Sequence, residues 1–168
     1  NQTLKDIEII IINDGSTDNS QKIIDRFKIE NTNIKSFKQK NKGQAVARNV
    51  GLKSCTAEYV TYVDSDDYIE LDMMEKLYKN VEKNKYDIVI SDIIKEEGNK
   101  SYVFKNFWQV NKEANKNFMT SHMGPVARLY RREFLINNNF KFLEGVIYED
   151  LGSIPLLGMY TNKIVYVN

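Results

Sequence analysis

The chain has 168 residues, 42% hydrophobic and 28% charged, which suits one domain with a real core. Its 24 Lys and Arg nearly cancel 23 Asp and Glu, and the net charge of +1 gives no sign of a general nucleic-acid binder. The single cysteine, Cys55, excludes an internal disulfide, and the longest apolar run, Ile9 to Ile12, is far too short to cross a bilayer.

The first half alternates strand and helix patterns. Ile7 to Ile12 is a nearly continuous β-branched run, as expected of a strand covered on both faces, and Asn13-Asp14-Gly15-Ser16 is turn chemistry. Asp18 to Phe27 carries Ile23, Ile24 and Phe27 on one helix face, with Ser16 or Thr17 available as a cap. Ile34 to Phe37 predicts a short strand, Gly43 to Lys53 a helix, and Tyr59 to Val63 a strand that ends in Asp64-Ser65-Asp66-Asp67. Leu71 to Val81 predicts an amphipathic helix and Tyr86 to Ser91 another strand.

Beyond Asn99 the pattern weakens. Tyr102 to Phe104 and Val126 to Tyr130 predict strands, and Asn111 to Asn117 a loop or loose helix. Arg132 to Ile136 and Glu149 to Tyr160 predict helices, and Ile164 to Val167 a last strand. Strands separated by helices of this size imply a layered α/β fold with a mostly parallel sheet. Ligands bind such sheets beyond the carboxyl ends of the strands, where both acidic turns lie.

Four groups of residues carry chemistry. Three carboxylates at one strand end, Asp64, Asp66 and Asp67, repel one another unless a hard cation such as Mg²⁺ or Mn²⁺ neutralises them, or unless they form a solvated turn. Asp14 stands at the other strand end, placed to accept hydrogen bonds from a base or sugar, whereas Ser16 and Asp18 read as helix-start residues. Arg48 and Asn49 sit among small and apolar neighbours. Arg48 there serves either a phosphate or pyrimidine bidentately, or a buried Asp, or is a surface arginine. Glu149-Asp150 either complements a helix dipole or presents a general base. His122 is the only histidine, and Trp108 and Tyr148 are candidates to stack on a sugar face.

In this order the motifs resemble the family 2 glycosyltransferases: Asn-Asp-Gly-Ser-Thr-Asp at 13–18, Asn-Lys-Gly and Ala-Arg-Asn-Val-Gly within 41–51, Val-Asp-Ser-Asp-Asp at 63–67, Leu-Tyr-Arg-Arg at 129–132 and Glu-Gly-Val-Ile-Tyr-Glu-Asp at 144–150. The resemblance implies a GT-A fold, with residues 1–92 as the nucleotide-sugar-binding half and 93–168 as the acceptor-binding half. It assigns Asp14, Arg48 and Asp64 to the donor nucleotide and Asp66 to an Mn²⁺ or Mg²⁺ ion. Asp150 becomes the catalytic base, with Glu149, Asp67, His122 and Trp108 as secondary or acceptor residues. The implied reaction is inverting transfer from a nucleoside-diphosphate sugar, UDP-linked by resemblance, to a hydroxyl of a saccharide or lipid-linked saccharide. Surface glycan synthesis at the cytoplasmic face of a membrane is the implied setting.

One departure stands out. The family's initial apolar strand and its Pro-x-Tyr-Asn-like turn have no counterpart before Asn1, so the chain reads as a domain lacking its first strand, with Ile7 to Ile12 left an open edge. Two rival readings are a nucleotidyltransferase and a non-catalytic nucleotide-sugar-binding module. A glycoside hydrolase would need two carboxylates facing each other across the bond.

Overall fold

A computed structural model describes residues 1–106, 113–121 and 123–167. Strand β1 (Ile9–Asp14), helix α1 (Ser20–Glu30) and strand β2 (Ile34–Gln39) come first, followed by helix α2 (Gln44–Ser54) and strand β3 (Tyr59–Val60). Helix α3 (Met73–Asn84) leads to β4 (Ile88–Ser91), β5 (Ile93–Glu97) and β6 (Lys100–Phe104). Helix α4 (Ala114–Met119), β7 (Arg128–Arg131), α5 (Arg132–Asn137), a 3₁₀ helix (Pro155–Met159) and β8 (Ile164–Val167) complete the order.

β1 and β2 pair in parallel, with Ile9 opposite Ile34 and Asp14 opposite Gln39. The main sheet has the order β3-β7-β4-β8. There β4 and β8 are parallel, but β7 runs antiparallel to both β3 and β4, because it enters from the opposite end after the long excursion of residues 92–127. A strand from the second half of the chain is therefore wedged between two strands of the first half.

Alternation along β4 explains the layers. Ile88 and Ile90 face a cluster that holds Phe118, Tyr130, Phe134, Leu135, Phe142 and Leu157, with Ala45 and Leu52 of α2 at its margin. Val89 faces the other way and meets Met74, Leu77 and Val81 of α3, together with Leu129. A strand buried on both faces needs apolar residues at every position, which Ile88-Val89-Ile90 supplies at 0% exposure. Each such side chain contributes about 1.5–3 kcal/mol by leaving water. Cys55 lies in the interior as a small buried residue.

The structure differs from the sequence pattern at several elements. β3 stops at Val60 instead of running to Val63, and Tyr62 rejoins only through an isolated bridge to Val126. Ala127, at φ 55°, kinks the backbone there and ends the regular ladder. β5 had no counterpart in the pattern. It forms a hairpin with β6 across Gly98-Asn99, with Glu97 opposite Lys100 and Gly98 at φ 61°. The helix predicted over 149–160 is instead a series of turns followed by the 3₁₀ helix. Pro155 cannot donate to a helix begun at Glu149, and Gly158 packs so closely on α4 that a Cβ would lie 2.6 Å from Met119 Cγ. No helix among the described residues is long and apolar enough to cross a membrane.

Candidate active site

β1 ends in Asp14, and the chain turns at once through Gly15, whose φ of 79° suits glycine. A Cβ there would lie 2.6 Å from the Asn41 backbone nitrogen, so the β1–α1 turn lies against the loop that precedes α2. Asn13, 3% exposed, holds the turn by accepting from the Ser16 N–H at 2.8 Å and donating to Gln21 at 2.7 Å. Asp18 accepts from the Ser20 N–H at 2.9 Å, the helix-start role that its position suggested.

Asp14 makes the second tie between these loops. One carboxylate oxygen accepts from Gln39 Nε2 at 2.7 Å and from the Lys42 N–H at 2.9 Å, and the other from the Gly43 N–H at 2.8 Å. Burial pushes its carboxyl up, but hydrogen bonds from Gln39, Lys42 and Gly43 outweigh that and hold it below the ordinary aspartate value. Asp14 thus fixes the Asn41-Lys42-Gly43 loop from which α2 starts.

Arg48 projects from α2 into the centre of the site. Its Nη2 donates to Asp64 Oδ1 at 2.8 Å and its Nη1 to Glu149 Oε1 at 2.6 Å, while the guanidinium carbon lies 5.3 Å from the centre of the Phe142 ring. Gln44, one turn earlier on the same helix face, donates to the same Glu149 oxygen at 2.8 Å. The Arg48 and Glu149 side chains are 9% and 11% exposed, and the Asp64 side chain is 41% exposed. Removing Arg48 leaves the buried Glu149 carboxylate with Gln44 alone, at a cost of order 3–5 kcal/mol, whereas Arg48 without Glu149 keeps Asp64.

Asn49, the next residue on α2, docks the same loop that carries Glu149. It donates to the Phe142 carbonyl at 2.9 Å and to Glu144 at 3.0 Å, and accepts from the Phe142 N–H at 2.8 Å. Ser153 adds a link, donating to the Glu149 carbonyl at 2.6 Å and accepting from the Leu143 N–H at 3.1 Å. Tyr148, at φ 60° and largely exposed, takes a conformation costly for an aromatic residue, and thereby re-aims the chain before Glu149-Asp150. The Asp150 carboxylate accepts from the neighbouring Leu151 N–H at 3.0 Å.

Beyond β3, the Asp67 N–H bonds the Asp64 carbonyl at 3.1 Å and closes a tight acidic turn. Partial burial, then Asp64 and Asp66, push the Asp67 carboxyl above its usual value, a mark of crowded negative charge that a hard cation relieves. Asp66 is exposed and makes no hydrogen bond or ion pair among the described residues. No group of three or more His, Cys, Asp or Glu forms a ready cage among the described residues. Asp64, Asp66 and Asp67 in one turn are oxygen donors of the kind a hard cation such as Mg²⁺ takes one or two of, completing its shell with phosphate oxygens and water.

The fold thus joins Arg48, Asp64 and Glu149 directly, with Asp66 and Asp67 in the same turn as Asp64, and Asp150 beside Glu149. Asp14 reaches the cluster only through the loop that it clamps. Trp108 and His122 lie outside the described residues. The sequence reading missed Gln44 and Phe142. The i, i+4 spacing from Gln44 to Arg48 was a usable signal for the first, and nothing local pointed to the second.

Similarity to known proteins identifies the family and the fold. Residues 1–138 match the profile of Glycosyl transferase family 2. A cholesterol galactosyltransferase of Borreliella burgdorferi is 34% identical over 185 residues, covering 100% of this chain and 51% of that protein. Glycosyltransferase GlyG of Streptococcus pneumoniae is 32% identical over 183 residues, covering 99% of this chain and 60% of the relative. The chain therefore spans about half to three fifths of the length of these relatives. Among solved structures, S. aureus TarS 1–349 superposes with a TM-score of 0.82 at 23% identity, over 99% of this chain and 50% of that one. The same protein in complex with UDP-GlcNAc gives 0.79 at 24% identity, over 99% and 49%. These superpositions establish the fold as GT-A. With the family profile and two relatives above 30% identity in agreement, the chain belongs to glycosyltransferase family 2.

Proposed function

We propose that this chain forms the donor-binding and catalytic part of an inverting glycosyltransferase that uses a nucleoside-diphosphate sugar. The observation that carries the reading is Arg48, held between Asp64 and Glu149. It ties the acidic turn after β3 to the Glu149-Asp150 pair, at the strand ends where α/β sheets bind ligands. UDP is the preferred nucleotide, a choice supported by the UDP and UDP-GlcNAc complexes of TarS.

In this reading the loop clamped by Asp14 borders the base, Asp64 faces the ribose, and Asp66 holds the cation. When bound, Mg²⁺ or Mn²⁺ supplies charge neutralisation for the diphosphate. Arg48 lies within reach of the same negative charge, pre-oriented by its two carboxylate partners. Asp150 takes the proton of the acceptor hydroxyl as that oxygen attacks the anomeric carbon from the face opposite the diphosphate. The bond from the anomeric carbon to the diphosphate oxygen breaks, its electron pair leaves with the diphosphate, and the configuration inverts. Glu149, already engaged by Arg48 and Gln44, positions the loop and leaves proton transfer to its neighbour.

The acceptor is the hydroxyl of a saccharide or lipid-linked saccharide, reached at the inner face of a membrane. The lipid part of this reading is supported by Val146, Ile147, Tyr148 and Leu151, all exposed around Glu149-Asp150, and by a relative whose name gives a lipid as its acceptor. Residues 93–168 supply this acceptor side and residues 1–92 the donor side.

The test is calorimetric titration of UDP, with GDP and TDP as controls, with and without Mn²⁺, on the unaltered chain and on Asp66→Ala. Metal-dependent binding of UDP that disappears in the variant is the expected result. Binding of UDP that ignores both the metal and Asp66 would remove the cation from the donor site.

A further inference from the structure

The pole of the main sheet opposite the candidate active site carries an excess of unpaired positive charge. A cleft of about 530 Å³ opens there, lined by Glu58, Lys85, Arg131, Arg132, Glu133 and Lys163. These residues precede β3, β4 and β8 or follow from β7, so the cleft lies at the amino ends of strands whose carboxyl ends face the site. Arg132 also lines a second cleft of about 550 Å³, which Lys53 and Lys141 flank with no acidic residue. The two clefts share Arg132 in their linings, and the basic residues of both form one strip around it.

Ion pairing leaves most of this charge uncompensated. Arg131 is bound by Asp87 and by Glu133 at 2.9 Å, which accounts for two of the nearby acids. Among the described residues Lys53, Lys85, Arg132, Lys141 and Lys163 form no ion pair, and Glu58 is the acid left facing them. The buried Nε of Arg132, which lines both clefts, has no hydrogen-bond partner among the described residues. A guanidinium with no carboxylate partner leaves its charge locally uncompensated, which favours an anion beside it. The chain as a whole carries only +1, so five cations without an ion pair, faced by Glu58 and with the Glu8 carboxylate nearby on Thr56, are a local concentration and not an overall basic character.

We propose that this strip is an anion site for phosphate groups, centred on Arg132 and reaching Lys85 and Lys163 on one side and Lys53 and Lys141 on the other. Phosphate suits it because the donors come from separate segments and meet a tetrahedral, multiply charged acceptor from several directions. Two clefts sharing one arginine suit a ligand with more than one phosphate. Soluble phosphates and the headgroups of an anionic lipid surface present the same chemistry. The first cleft lies at the strand ends opposite the acidic turns, and Phe140 and Phe142 stand between the second cleft and Arg48, so the proposal stands whether or not the donor reading holds.

Amide chemical-shift mapping with inorganic pyrophosphate is the experiment. The expected shifts cluster at residues 53–58, 85, 131–133, 141 and 163 and saturate at millimolar ligand. A triple variant, Lys85→Gln with Lys141→Gln and Lys163→Gln, alters only exposed side chains and should weaken that binding at least about tenfold. The control Lys22→Gln with Lys28→Gln, on exposed positions of α1, should leave it unchanged. Co-sedimentation with phosphatidylglycerol vesicles against pure phosphatidylcholine identifies the source. Vesicle binding lost in the triple variant assigns lipid headgroups, and pyrophosphate binding without vesicle binding assigns soluble phosphate. Absence of shifts at the clefts, or equal weakening by the α1 control, would overturn the proposal.

Discussion

The β1–α1–β2 unit and the β3-β7-β4-β8 sheet use the same kind of sequence and arrive at very different burial. Ile9 to Ile12 is as apolar as Ile88 to Ile90, yet Ile9 is 38% exposed, and in β1 only Asn13 is buried. Helix α1 has no buried residue, with Ile23 and Phe27 near half exposed, whereas Val89 is sealed between α3 and its own sheet. β1 pairs with β2 on one edge, and among the described residues no strand lies on the other. An apolar run writes a strand locally, but stability is gained only where a second layer covers each face. The main sheet is thus the rigid platform. The β1–α1–β2 unit is held to it chiefly by α2, by Asp14 on its loop and by Glu8 on Thr56.

The largest expected effect follows from burial. Leu77→Ala, which empties a 1% exposed position between α3 and the sheet, should cost about 3 kcal/mol, while Ile23→Ala on α1 should cost less than about 1 kcal/mol. Urea midpoints of the two variants measure the contrast, and equal losses would erase the distinction between the regions. Next comes Gly15→Ala, where a positive φ combines with a Cβ 2.6 Å from the Asn41 nitrogen. It should cost about 2 kcal/mol and loosen the 41–43 loop, read as faster amide exchange at Lys42 and Gly43 with the β4 amides unchanged.

The smallest effect is electrostatic. Burial raises the Glu8 carboxyl, but hydrogen bonds from Lys35 and from the Thr56 N–H and hydroxyl prevail and bring it from 4.5 to about 2. A carboxylate depressed in the folded state stabilises fully above its unfolded value, and the gain is lost as pH falls from about 4.5 through about 2. Because Lys35 is half exposed, solvent screening holds the contribution below about 1 kcal/mol. Glu8→Gln should flatten the acid dependence of β1 and β2 amide exchange. An unchanged slope would place the acid sensitivity of this unit elsewhere.

Much of the site was legible because its chemistry is local. The turns after Ile12 and Val63 carry their carboxylates wherever the rest of the chain goes, and the small and apolar neighbours pointed to at least one of Arg48 and Asn49 facing inward; the fold buries both. The misread elements depended on distant partners. Glu149 to Tyr160 has helical spacing in isolation, but contact of Gly158 with α4 and the strained Tyr148 backbone set its actual path. The β5–β6 hairpin could have been read from Gly98-Asn99, a two-residue turn between β-capable runs.

The sequence by itself determined which segments are strands and helices in the first half, where the acidic turns fall, and that the motifs are those of one family. Periodicity and turn chemistry act over a few residues, so they are written in the order of the chain. Only the tertiary structure decided that β7 enters between β3 and β4 in the opposite direction, and that Arg48 meets Asp64 and Glu149, 16 and 101 residues away. Those choices depend on burying both faces of β4 and on giving a sheltered guanidinium its counter-charges. Neither demand can be met until segments far apart in sequence are packed together.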